Sequence, residues 1–354
     1  MTNVFDVTDF GAVGDGKTDC TAAIQTALDR AAEVGGKVTV PPGRYLTGEL
    51  KMGKRTRIEG SSGWSFRADG LSVLVLGDPK ASCLLNITDA FGCTVAGLCM
   101  DGGMLGEKIH GILLCREEYN GGGEEDTPCI DDCRVGRFTG DAVRLEKIWC
   151  FSVRHSMLHG CRGCGLYIDG WDAFIIDNWF TGNGNGGILG GPCTASVTAT
   201  GNRVEWNGRA GFEFFAGDSV NATGNFFDRT FGPALKLGGK GGRFSDVTVS
   251  GNIFRRGGCP DRSEDPDPLD NTHIRLDHAM NTTITGNSFR WGENDGGGGT
   301  KSPDHSIVIE SSDAVTVTGN TFLRGALKEN IVWDGNGECV FGLNSGLDRG
   351  EPQI

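Results

Sequence analysis

Hydrophobic and polar positions alternate in short runs along most of the chain. Asp246-Val247-Thr248-Val249 and Ala314-Val315-Thr316-Val317 are two such runs. A period of two predicts short β-strands. The runs are punctuated by a recurring tripeptide: Thr200-Gly201-Asn202, Thr223-Gly224-Asn225, Ser250-Gly251-Asn252, Thr285-Gly286-Asn287 and Thr318-Gly319-Asn320. Asp177-Asn178 reads as a degenerate earlier copy. From Asn to Asn the steps are 24, 23, 27, 35 and 33 residues. Two residues after each Asn comes Phe180, Val204, Phe227, Phe254, Phe289 or Phe322. Self-similarity at this period predicts stacked supersecondary units.

Between the Asn turns lies a second series of short strands. It includes Gly165-Leu166-Tyr167-Ile168-Asp169, Gly211-Phe212-Glu213-Phe214, Ala234-Leu235-Lys236-Leu237, His273-Ile274-Arg275-Leu276-Asp277 and Ser306-Ile307-Val308-Ile309-Glu310. Strand, turn, strand, turn without intervening helices predicts an all-β fold, a single parallel β-helix (β-solenoid). Equivalent residues would then stack about 4.8 Å apart, and the corner Asn side chains would form a ladder. One segment has helical periodicity instead. Residues 19–33 place Ile24, Ala27, Leu28 and Ala31 on one face, with Asp19 as N-cap and Gly35-Gly36 as the stop. Such an amphipathic helix would cap the first coil. The expected organisation is an N-terminal cap over residues 1–50, coils over 51–336 and a C-terminal cap or tail over 337–354. Loops rich in Gly, Asp, Glu and Pro would leave the coils near 117–127, 257–271 and 291–303.

Composition sharpens this picture. The 354 residues include 59 glycines but only 11 prolines, which fits a solenoid and excludes collagen. A formal net charge of −13 argues against nucleic acid or an anionic membrane as partner. No apolar run is long enough to span a bilayer. No leader is visible, so a cytoplasmic protein is expected, or a secreted one if a leader has been removed. The 13 cysteines read mainly as small buried hydrophobes. Cys161-Arg162-Gly163-Cys164 has the spacing of half a zinc site or of a redox pair, with no second half.

The segments Val7-Thr8-Asp9-Phe10-Gly11-Ala12-Val13-Gly14-Asp15-Gly16-Lys17-Thr18-Asp19 and Val40-Pro41-Pro42-Gly43-Arg44-Tyr45 resemble the opening of the pectate-lyase-like right-handed parallel β-helix superfamily. That group includes polygalacturonase-like glycoside hydrolases, polysaccharide lyases, uronan epimerases, fructan fructotransferases and tailspikes. The resemblance implies right-handed coils and an oligo- or polysaccharide ligand, and a homo-oligomer such as a trimer. The polygalacturonase catalytic pattern is present only in fragments. Gly140-Asp141-Ala142-Val143 is similar to its Gly-Asp-Asp element. Gly163-Cys164-Gly165-Leu166 stands at its Gly-His-Gly element, with Cys164 for the histidine. Its Asn-Thr-Asp and Arg-Ile-Lys elements are absent.

Alternation supplies candidate site residues directly. One outward row reads Leu113, Arg144, Tyr167, Leu189, Glu213, Lys236, Arg275, Val308. A second, two residues on, includes Glu146, Asp169, Asp277 and Glu310. From these rows the expected catalytic groups are Glu213, Asp169, Lys236, Arg275 and Asp277. Expected substrate contacts are Tyr167, Arg144, Glu146, His155, His159 and Trp206. Paired carboxylates would cleave or rearrange a glycosidic bond, as in a hydrolase or an intramolecular glycosyl or fructosyl transferase. The alternatives are a lyase or uronan epimerase using Lys, Arg and His, and a non-catalytic glycan-binding solenoid. No cofactor or metal is expected; Asp169, Asp172 and Asp177 admit calcium as an alternative.

Overall fold

The computed structural model describes residues 3–66, 70–239, 241–258, 267–292 and 302–347. Much of the expected loops, at 259–266 and 293–301, and the end of the tail at 348–354 lie outside the described residues. The chain groups into two compact units, Met1–Trp179 and Phe180–Ile354.

In the first unit the amphipathic segment forms a helix at Thr21–Val34, burying Ile24, Ala27, Leu28 and Ala31. Its start lies two residues later than expected. Cys20 takes the N-cap position without a side-chain bond. The Asp19 carboxylate still accepts the Thr21 N–H at 2.9 Å, so it serves the helix from one position earlier. Gly35 ends the helix in left-handed conformation, φ 64°.

After the helix the backbone coils. Lys37–Thr39, Arg57–Glu59, Thr94–Ala96, Cys129–Asp131 and the latter part of Val143–Arg154 pair in that order. Gly43–Thr47, Ser72–Leu76, Cys99–Asp101, Arg134–Gly136 and Met157–His159 form a second series. A third runs from Cys83–Asn86 through His110–Leu114 to Val143–Arg154 and Cys164–Ile176. All these pairings are parallel. Parallel neighbours need a long crossover; here the rest of each coil supplies it.

The second unit repeats the plan. Phe212–Phe214, Leu235–Gly238, Thr272–Asp277, His305–Glu310 and Glu329–Trp333 stack in parallel register. So do Gly217–Thr223, Phe244–Ser250, Ala279–Thr285, Asp313–Thr318 and Cys339–Gly342. The fold is an all-β parallel β-helix.

The expected ladder is present in this unit. Asn202 Nδ2 donates to Asn225 Oδ1 at 2.9 Å, and Asn225 Nδ2 to Asn252 Oδ1 at 3.0 Å. The series continues through Asn287 and Asn320 to Asn344. Each Oδ1 also accepts the backbone N–H of the preceding Asn, as Asn252 does from Asn225 at 2.8 Å. Gly224 and Gly251 hold φ of 65° and 63° beside it, a region where a Cβ is strained. Two residues inward, the rings of Phe227, Phe254, Phe289 and Phe322 stack at 4.8 to 5.0 Å, within 7° of parallel. The 12 cysteines among the described residues are all free thiols. Burial pushes Cys161 up to about 12 and Cys164 well above the ordinary thiol value, so both behave as the buried hydrophobes expected.

Candidate functional site

The outward rows exist, and each unit carries one charged cluster on them. In the first unit the strand register sets Leu113 beside Arg144 and Arg144 beside Tyr167, with Glu146 beside Asp169. Arg144 lies over the Tyr167 ring, its guanidinium carbon 3.9 Å from the centroid. It also bonds Asp141 at 2.8 Å and Glu146 at 2.6 Å. The Asp141 backbone N–H donates to His110 Nδ1 at 2.9 Å. Burial first, then Arg144, lowers the His110 pKa against the pull of Asp141, so the ring is neutral at pH 7. Burial, with Asp169 and Glu146, raises Tyr167 against Arg144, so its hydroxyl keeps its proton. Asp141 Oδ1 also accepts the Cys164 backbone N–H at 2.8 Å. The Gly-Asp and Gly-Cys-Gly fragments of the sequence therefore meet on adjacent coils.

Two details depart from an open groove. Asp169 is only 4% exposed, because Lys147 reaches back to it at 2.7 Å. Leu113 is buried too. The 117–127 loop sets Tyr119 against Trp171 of this strand, with ring centroids 4.5 Å apart. Trp149 is held by an Nε1 bond to Asp172 at 2.9 Å. His155 is exposed and packs on Trp64 at 5.1 Å, while His159 is buried with its pKa pushed down to about 4 by burial first, then by Arg134. Neither histidine belongs to the series of strands that carries Arg144 and Tyr167.

In the second unit the register runs Glu213, Lys236, Arg275, Val308 across four strands. Glu213 and Lys236 are half-buried, but Arg275 is 4% exposed and Val308 is fully buried. The row is therefore closed at its far end. The cause is a 3-10 turn, Pro268–Asp270, capped by Asp267. Asp270 takes Lys236 at 2.8 Å, and Asp267 takes Arg275 at 3.2 Å. Arg275 also pairs with Glu310. Asp277 sits beside Glu310 in register and bonds His278 at 2.6 Å. Burial first, then Asp277, Asp267 and Asp334, raises the Glu310 pKa against Arg275. Trp206 is exposed in the bend after the strand Arg203–Glu205, which belongs to another series, with Arg229 4.6 Å over its ring.

The expected residues thus divide between the units. Arg144, Glu146, Tyr167 and Asp169 share one cluster; Glu213, Lys236, Arg275 and Asp277 share the other. His110, Asp267, Asp270 and Glu310 were absent from the expected site. Asp267 and Asp270 were legible only as acidic residues in a loop. Glu310 stood in the second outward row, but nothing in its strand marks its pKa as raised.

Residues 139–322 match the family model for the right handed beta helix region, and residues 4–70 match rhamnogalacturonase A/epimerase, pectate lyase-like. Mannuronan C5-epimerase AlgE5 of Azotobacter vinelandii is 57% identical over 155 residues, which is 41% of this chain and 14% of that protein. Alginate lyase 7 of the same organism is 32% identical over 142 residues, 38% of this chain and 15% of that one. The chain spans about 15% of the length of these curated relatives. Among solved structures, DFA-IIIase from Arthrobacter chlorophenolicus A6 in complex with GF2 superposes over 100% of both chains, with a TM-score of 0.67 and 17% identity. That likeness speaks for the fold. The match at 139–322 takes in both charged clusters and more than half of the chain, which therefore belongs to the right-handed beta-helix family.

Proposed function

We propose that the protein is a carbohydrate-active enzyme that cleaves or rearranges a glycosidic bond at the cluster of the second unit. One observation carries this reading: Glu310 is held toward its protonated form one rung from Asp277. Adjacent rungs lie about 4.8 Å apart, near the carboxyl separation of about 5–5.5 Å in retaining glycosidases. Glu310 would protonate the leaving oxygen as general acid. Asp277 would attack the anomeric carbon or stabilise the charge developing there. Water as the acceptor gives hydrolysis; a hydroxyl of the same sugar chain gives an intramolecular transfer. Lys236 and Arg275 are both engaged by carboxylates, so here they fix the acidic groups rather than neutralise a substrate. No cofactor is needed for this chemistry.

A second reading rests on the printed names of the regional relatives, an epimerase and a lyase. It uses the first unit: neutral His110 as base and protonated Tyr167 as acid, with Arg144 between two carboxylates. Elimination needs a cation facing the uronate carboxyl, and Arg144 is already doubly engaged.

A panel of neutral and uronic oligosaccharides separates the two readings. Reducing ends or a cyclised product without ultraviolet absorbance support the first; unsaturated products support the second. On the active substrate, Glu310→Gln should lower kcat about 100-fold or more with substrate binding retained. Undiminished turnover in that variant moves the chemistry out of this cluster.

A further inference from the structure

Away from both clusters, the first unit carries an aromatic surface that neither reading uses. The loop ahead of the strand Ser72–Leu76 lays Trp64 and Phe66 over the strand series that includes Met157–His159. Phe66 is 64% exposed. It stands edge-on to Trp179, with centroids 5.9 Å apart, and edge-on to His159 at 5.4 Å. Trp64 lies beneath, 5.1 Å from the exposed His155 ring and 6.5 Å from Trp179. Phe66, Trp64 and Trp179 thus form one contiguous aromatic patch, the kind of exposed apolar surface that marks a ligand-binding site.

The chemistry around the rings says what that ligand is. Arg134 is 4% exposed and anchors the loop through the Ser65 carbonyl at 2.5 Å. Its Nε is buried without a hydrogen-bond partner. Arg44 and Arg137, about half exposed, share a single carboxylate, Asp101, at 3.3 and 3.5 Å. With Asp132 facing His155 at 3.5 Å, three guanidinium groups meet two carboxylates, which still leaves a local positive excess in a chain of formal net charge −13. That field reaches the rings: Arg134 and Arg137 both help hold the His159 imidazole neutral. Aromatic faces stack on the C–H faces of sugar rings, and guanidinium groups bind carboxylates in a fork.

We propose that Phe66, Trp179 and Arg137 form a binding site for an anionic glycan, a strand of uronate-bearing sugar, separate from the carboxylate clusters. Phe66 and Trp179 take the sugar faces, and Arg137 takes the uronate carboxylate. The site would hold polymer without cleaving it, so it stands whether or not the reading of Glu310 is right.

The test is calorimetric titration of the full chain carrying Glu310→Gln, which blocks the proposed turnover. The probes are an oligogalacturonate hexamer and a neutral oligoglucan of equal length. The uronate should bind more tightly than the neutral sugar, and more weakly as salt rises. Phe66→Ala and Arg137→Gln should each weaken that binding about fivefold or more, at unchanged Tm because both side chains are exposed. Equal binding of the two sugars, no uronate binding, or full affinity in both variants would each overturn the proposal.

Discussion

The two units meet the same backbone need at their corners in different ways. In the second unit one residue type does it on every coil: the Asn side-chain oxygen accepts the N–H of the coil before, from Asn202 through Asn344. In the first unit the Cys133 N–H goes to Ser156 Oγ, and the Ser156 N–H goes to Asn178 Oδ1, both at 3.0 Å. Two residue types, Ser and Asn, share one geometry there. The corner asks only for a short polar side chain that reaches one rung down. Asn answers more fully, because its amide nitrogen can also reach a carbonyl, as Asn252 does to Ala222 at 2.9 Å. A repeated residue is therefore one solution to the corner and not a requirement of the fold.

The largest expected difference lies one layer inward. Phe254 is fully buried between Phe227 and Phe289. Phe254→Ala should cost about 3–5 kcal/mol by denaturant unfolding. In the first unit Leu158, also fully buried, holds the corresponding middle position of the strand Met157–His159. Leu158→Ala belongs to a range of about 2–5 kcal/mol. If the Phe254 loss does not exceed the Leu158 loss, the stacked rings contribute nothing beyond their size, and the comparison weakens.

Next come the corners themselves. Asn252→Ala strands the buried backbone N–H of Asn225, takes one of the two bonds of Asn225 Nδ2, which keeps the Ala199 carbonyl, and removes the donor to the Ala222 carbonyl. Each buried group left unpaired costs about 1–3 kcal/mol, so a loss of about 2–4 kcal/mol is expected. Ser156→Ala strands one, the Cys133 N–H, and should cost roughly half as much. Equal losses would mean that the amide ladder adds nothing over isolated caps.

This contrast also explains what could be read from the sequence. The second unit was legible because its corner residue and its Phe recur at nearly constant offsets, so the period, the ladder and the inward ring could all be read before any coordinate. The first unit keeps the geometry but varies the residue, and Asn178 alone betrayed it. The site was less legible for a related reason. Strand alternation correctly put Arg144 beside Tyr167 and Lys236 beside Arg275. It could not show that Lys147 folds back on Asp169, or that the turn at Pro268–Asp270 closes over Arg275. The first contact comes from a bulge at Lys147 within its own strand and the second from a loop, and no period constrains either.

The smallest expected effect is an acid sensitivity shared by both units, carried by His273 in the second and by His159 together with His110 in the first. Burial pushes His273, packed against Phe254 and Phe289, down to about 3. His159 is held at about 4, by burial and by Arg134. Unfolded, each titrates near 6.5. Below that value the unfolded chain binds protons that the folded chain refuses. The stabilising contribution is therefore complete above about pH 6.5 and is lost as pH falls toward the folded values. Between pH 7.5 and pH 5.5 each imidazole should remove about 1.4 kcal/mol. His273→Leu, apolar and of similar bulk, should flatten the acid limb of the second unit by that amount and leave the first unit's limb alone. Hydrogen exchange resolved by segment can read the two units separately. A variant whose second unit still loses the same stability over that range would show that His273 takes up its proton as readily folded as unfolded, and that burial of this ring is not the source of the acid limb.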